Sequence, residues 1–177
     1  MNMSILMDSS NLVAIQIFYV EEKRKQGSSI FHFIKSQEEL DEWRSKGYIT
    51  QEEFDKTKSA TIDPGMPETP KLDPEKIIQS LSTWWSKMCW REQNTTYSQC
   101  LKQISGKDGE QLTILDTLAF RDLKLKTCLK KWNLTDNEGQ EIAISNLVID
   151  NLVPEVAQEL LLNFEKVTEI SEDDLKN

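Results

Sequence analysis

The sequence predicts a mainly α-helical protein, with a small N-terminal β-hairpin and short helices ahead of a helical C-terminal domain. Three observations lead to this class. Apolar residues recur at three- and four-residue spacing over 77–88, 113–132 and 154–167, the period of an amphipathic helix. Helix-capping residue types stand where those runs begin. Four of the five prolines, Pro64, Pro67, Pro70 and Pro74, fall within eleven residues and separate two stretches of different character.

In chain order, NLVAIQIFYV (11–20) and SSIFHFIKS (28–36) carry β-branched and aromatic residues around a charged connection with Gly27. This reads as a hairpin. Ser36 then caps a helix that Gly47 stops, and Thr50 with Glu53 forms a capping box for a second short helix. Residues 1–58 are thus a small hairpin-and-helix unit, 59–73 a proline-rich, semi-rigid linker, and 74–177 the helical domain. Asp73-Pro74-Glu75 has the residue types of a helix start, followed by Ile77, Ile78, Leu81, Trp84, Trp85 and Met88 at helical spacing. The run Trp90–Asn94 breaks that helix, and a second segment runs from about Thr95 to Ile104. Gly106 and Gly109 punctuate a loop. A helix over 113–132 carries Leu115, Leu118, Leu125, Leu129 and Trp132 on one stripe. After a turn at Asp136–Gly139 and a short extended piece at Ile142–Ile144, Ser145 caps a helix ending near Leu152. Pro154 opens the last long helix, with Ala157, Leu160, Leu161, Phe164 and Val167 on one face. The expected core sets Leu118, Leu125, Leu129 and Trp132 against Leu160, Leu161 and Phe164.

The 177 residues carry a formal charge of −9, which disfavours nucleic acid and anionic membranes as partners. No apolar run reaches the ~20 residues that span a bilayer, and the first ten residues lack a secretory signal's basic and apolar regions. Cys89, Cys100 and Cys128 are odd in number and lack CxxC spacing, so they read as reduced residues of a cytosolic protein. Charge is uneven: Arg121, Lys124, Lys126, Lys130 and Lys131 cluster within eleven residues, whereas the chain beyond Asp136 is strongly acidic. The lysines complement the end of their helix and offer a dock for the acidic C-terminal helix or a partner.

No catalytic constellation emerges. The single histidine, His32, sits between Phe31 and Phe33 without a nucleophile motif, and zinc-type clusters of Cys and His are lacking. Asp136–Gly139 fails the EF-hand register and Gly106–Gly109 the P-loop spacing. The expectation is no enzyme, no metal and no cofactor. The tryptophans carry the most information instead. On a helix, Trp84 and Trp85 point about 100° apart and cannot both be buried by one face. One of them, with Met88 and Trp90 and a rim of Lys87 and Arg91, is expected to form a partner-binding site, because Trp is enriched at hot spots.

From Phe120 to Glu169 the chain joins a basic helix ending in Lys131-Trp132 to the Asp136–Gly139 turn. It continues with Ile142–Ile144, the motif Ile149-Asp150-Asn151-Leu152-Val153-Pro154 and a final amphipathic helix. Upstream stands Trp90-Arg91-Glu92-Gln93-Asn94. Over roughly 88–169 this pattern resembles the tail assembly chaperone type of small tailed-bacteriophage proteins. The resemblance implies a non-enzymatic factor without a cofactor, holding the tape measure protein and recruiting tail-tube subunits in the cytoplasm of the infected host cell. Self-association is left open. The alternatives are a structural virion or adaptor protein and an acidic inhibitor that binds a host protein.

Overall fold

The computed structural model describes residues 12–24, 27–60, 73, 75–106, 110–136 and 138–168. Among these, helix accounts for 43% and strand for 32%. The mainly α expectation is therefore wrong, and the fold is mixed α/β. Two compact units divide the chain: Gln16–Ser82 is one, and the strand start up to Ile15 joins the chain from Thr83 onward in the other. Residues 61–72 of the expected linker lie outside the described residues, as do Pro74 at the start of the expected helical domain and the acidic tail beyond Thr168. No described helix is long and apolar enough to cross a membrane.

The unit Gln16–Ser82 follows the sequence closely at its start. Strands β1 (Val13–Lys23) and β2 (Ser29–Ile34) pair antiparallel, from Phe18 opposite Ile34 to Lys23 opposite Ser29. Ser36 caps α1 (Gln37–Ser45), its hydroxyl accepting the Glu39 N–H at 3.2 Å. Gly47 ends the turn at φ +87°, a left-handed backbone that disfavours any Cβ. A two-residue strand, β3 (Ile49–Thr50), leads straight into α2 (Gln51–Ala60). Thr50 both ends the strand and caps the helix: its N–H donates to the Glu53 carboxylate at 2.8 Å, and the Glu53 N–H returns to its hydroxyl at 3.3 Å. Trp43 meets Tyr48 edge-on at 4.8 Å, and Ile17, Val20, Ile78 and Leu81 are buried.

The largest correction is at 77–85, expected as helix and found as strand β4 (Ile77–Trp85). Asp73 does not start a helix; its carboxylate accepts the Glu75 N–H at 3.0 Å in a turn that delivers the chain to β4. The sheet runs β2-β1-β4-β3, and a later strand, β7 (Leu129–Trp132), also pairs with β4. β3 pairs with β4 in parallel, β7 antiparallel. Leu81, Thr83 and Trp85 are buried in strict alternation, the period of a strand. Two isoleucines, a threonine and two tryptophans favour that conformation, whereas Ser80 and Ser82 weaken a helix. The buried Thr83 hydroxyl is satisfied on both sides, donating to the Ile15 carbonyl at 3.1 Å and accepting the Trp85 indole N–H at 2.7 Å.

The rest of the second unit alternates short elements. Trp90–Asn94, expected to break a helix, instead opens α3 (Trp90–Gln99). Glu92, three residues past the Cys89 cap, accepts the Cys89 N–H at 2.8 Å. The expected Thr95–Ile104 helix stops at Gln99, and β5 (Leu101–Ser105) and β6 (Gln111–Leu115) form a separate hairpin. The expected 113–132 helix is three elements: the end of β6, α4 (Thr117–Cys128) and β7. Asp116 resets the chain, its carboxylate accepting the Leu118 and Ala119 N–H groups at 3.1 Å.

Leu125, Leu129 and Trp132 are buried, but Leu118 is 77% exposed, so it leaves the expected core. Leu129 and Trp132 share a face because Lys130 is an extra residue between the partners of Trp85 and Trp84, a β-bulge. The turn at 136–139 forms as expected, with Asp136 accepting the Glu138 and Gln140 N–H groups. Ile142–Ile144 is not a strand; the Ile142 carbonyl accepts the Trp132 indole N–H instead. Ser145 caps α5 (Asn146–Asp150). α6 (Pro154–Thr168) buries Val156, Leu160, Leu161 and Phe164, while Val167 is exposed. The basic cluster docks acidic elements: Lys124 pairs with Glu165 on α6 at 2.9 Å, and Lys126 with Asp122 and Asp150.

Candidate protein-binding site

The expected site residues span the connection from β4 to α3. Trp85 is wholly buried and stacks on Phe164, with centroids 4.7 Å apart and planes at 19°. It is the core-facing member of the pair. Trp84 is half-buried, with the Lys131 ammonium 5.4 Å from its ring. The Ser86 N–H donates to the Cys128 carbonyl at 2.8 Å, holding the chain as it leaves the sheet. Lys87 then lies exposed and Met88 half-buried.

Lys87 and Met88 edge a shallow cleft of about 250 Å³ whose other walls include Tyr97, Phe120, Lys124 and Phe164. Tyr97 and Phe120 stack at 4.6 Å and 24°, tying α3 to α4. The buried Thr96 hydroxyl points to the Met88 sulfur at 3.6 Å, which orients that side chain. Lys124 is held between Glu165 and the Phe164 ring, 5.7 Å from its centroid. Cys128 also borders the cleft, and burial pushes its thiol up to about 11. It is therefore a protonated apolar wall at neutral pH, unsuited to nucleophilic work.

Trp90 and Arg91 belong to a neighbouring, nearly open surface formed with Asn94, Thr95, Ser98 and Gln99. Trp90 is 76% exposed although it begins a well-capped helix. The backbone N–H of Cys89 holds the Glu92 carboxyl below its ordinary range, with smaller help from the Cys89 side chain and Lys130. The helix start carrying Trp90 is thereby fixed by a charge-assisted bond.

The structure thus brings Lys87 to Met88 and Trp90 to Arg91, and it removes Trp85 to the core. The sequence does not mark Tyr97 and Phe120 as cleft residues and gives Phe164 only as a core position, because the three lie on different helices. Their sequence signal was only an aromatic in each helix. His32 sits in the other unit, 3.3 Å from the Glu22 carboxylate and against Trp43. The described residues hold no group of three or more His, Cys, Asp or Glu able to bind a metal ion. No protein-family model, curated protein or solved structure matches the chain.

Proposed function

We propose that this chain is a non-enzymatic protein-binding factor that captures an apolar client segment at Trp90 and the adjoining Met88 cleft. Its role would be that of a phage tail assembly chaperone holding the tape measure protein in the infected cell. The carrying observation is the 76% exposure of Trp90 on a fixed helix start. A large aromatic left in water on a rigid element is costly to solubility and valuable to binding. Covering roughly 150 Å² of it at ~25 cal/mol/Å² is worth about 3–4 kcal/mol. Lys87 and Arg91 beside it provide a polar rim of the kind that surrounds buried anchors.

The test is co-expression of the full chain with the tape measure protein, followed by affinity measurement on the soluble complex. Trp90→Ala should weaken capture about thirtyfold, the effect of losing ~2 kcal/mol at a hot spot, and should leave the melting temperature unchanged. Undiminished capture by Trp90→Ala would sink the assignment. Mass spectrometry of finished particles separates a chaperone, absent from them, from an adaptor, present in them.

A further inference from the structure

The β5–β6 hairpin is a two-stranded sheet with no further strand paired to it among the described residues. Every residue from Leu101 to Ser105 is exposed, as are Gln111, Leu112, Thr113 and Ile114 of β6. An isolated pair of this length is marginal in water. Edge strands are ordinarily blunted by charge, proline or a bulge. β6, Gln-Leu-Thr-Ile-Leu, has none of these, and its pairing to β5 is regular throughout. In a chain 29% charged, the two strands hold one charge, Lys102, which is engaged by Asp116.

The ladder's phase decides what the free edge offers. Gly106 donates to Glu110 and Asp116 to Cys100, so 102/114 and 104/112 are the hydrogen-bonded pairs between them. The backbone N–H and C=O of Gln111, Thr113 and Leu115 therefore point outward. We propose that this edge pairs antiparallel with the same edge of a second copy, about a two-fold axis at Thr113. That register joins Gln111 to Leu115 of the second copy and Thr113 to its counterpart through about six ladder hydrogen bonds. It also sets Leu112 directly opposite Ile114 of the second copy, in the close, non-hydrogen-bonded positions where side chains pack best. Ile104, Leu112 and Ile114 share one face, so the two copies build a continuous aliphatic strip.

The corresponding pairing of β5 would set Lys102 against Ile104 of the copy, which is why β6 is the better edge. The three aliphatic side chains, 42–47% exposed, contribute on the order of 250 Å² per copy, near the lower end of patches that mark interaction sites. A standard interface takes about 800 Å² per partner, so the dimer is weak and reversible. Each copy carries −9, and Glu110 meets Asp116 of the copy at the ends of the ladder. Salt therefore strengthens the pairing by screening repulsion.

Sedimentation of the full chain between roughly 1 μM and 500 μM, the range of a small interface, should show a monomer–dimer equilibrium that tightens from low to high salt. Thr113→Pro removes an outward N–H while sparing the bonds to β5, and Ile114→Lys places a lysine against Leu112 of the copy. Each should weaken dimerisation roughly tenfold or more, whereas Thr113→Val should not. A melting curve shows that each variant is folded. A monomer throughout the range, a dimer indifferent to Thr113→Pro and Ile114→Lys, or association that weakens with salt would each overturn the proposal.

Discussion

Replacing Trp85 by alanine empties the centre of the unit that contains α6. The side chain is 0% exposed, and its ring lies flat on Phe164 at 4.7 Å. A buried tryptophan cut back to alanine costs about 3–5 kcal/mol in lost transfer energy and residual cavity. The indole N–H bond to Thr83 adds little, because the Thr83 hydroxyl keeps its bond to the Ile15 carbonyl at 3.1 Å. Trp84→Ala is the control, one residue away. That ring is half-buried with the Lys131 ammonium 5.4 Å from its centroid, a contact worth about 0.5–1 kcal/mol when exposed. In a chain of this size 1 kcal/mol shifts a melting temperature by about 2–4 °C. Trp85→Ala should therefore lower it by about 6–20 °C and Trp84→Ala by a few degrees, read by circular dichroism on the full chain. Equal shifts, or a larger one for Trp84→Ala, would refute the burial of Trp85 against Phe164.

Two further outcomes follow from the same unit. Leu125→Ala should cost about 2–5 kcal/mol and Leu118→Ala less than ~0.5 kcal/mol, since the first is 4% and the second 77% exposed; matched denaturation midpoints for the pair would contradict the end of β6 and the start of α4 at Asp116. The Glu92 carboxyl is held below the ordinary glutamate range, chiefly through the Cys89 N–H. A depressed folded value means that its contribution is complete above the ordinary glutamate pKa and is lost as pH falls through the lower one. Glu92→Gln should accordingly flatten the acid limb of the stability profile as pH falls below the ordinary glutamate range, while identical limbs would show that the cap is not formed.

The elements legible in the sequence are those fixed by neighbours in the chain. Ser36, Thr50 with Glu53, Asp136 with Gly139, and Ser145 all act within four residues, and all are found in place. What failed was the class of segments whose state depends on distant partners. IIQSLSTWW fits both periods over nine residues, since Ile78, Leu81 and Trp85 satisfy helical spacing while Leu81, Thr83 and Trp85 satisfy strand spacing. Burial between other strands decides the matter, and only the strand reading gives Thr83 a role. Over 113–132 the stripe was an accident of counting across a cap: Asp116 was available to read, but Leu115 and Leu118 flank it in different elements. The bulge at Lys130 then returns Leu129 and Trp132 to one face, which mimics the i, i+3 spacing of a helix.

The tryptophan pair shows how a wrong local geometry still points at a real division. Neighbours on a helix diverge by about 100°, so one face covers one ring and part of the other. Neighbours on a strand point to opposite faces, which makes the division sharper. Trp85 goes to Phe164, and Trp84 goes out beneath Lys131. The core then has no use for the next tryptophan, because the β4–β7 ladder ends at Trp85, Ser86 is tied just beyond it to the Cys128 carbonyl, and the capped helix starts at Trp90. Trp90 is set in place by backbone bonds rather than by burial of its own ring. Stability therefore does not account for an aromatic at that position. Trp85, wholly buried, is explained by the fold, and Trp90, 76% exposed, is not, which is the difference that a proposed partner would account for.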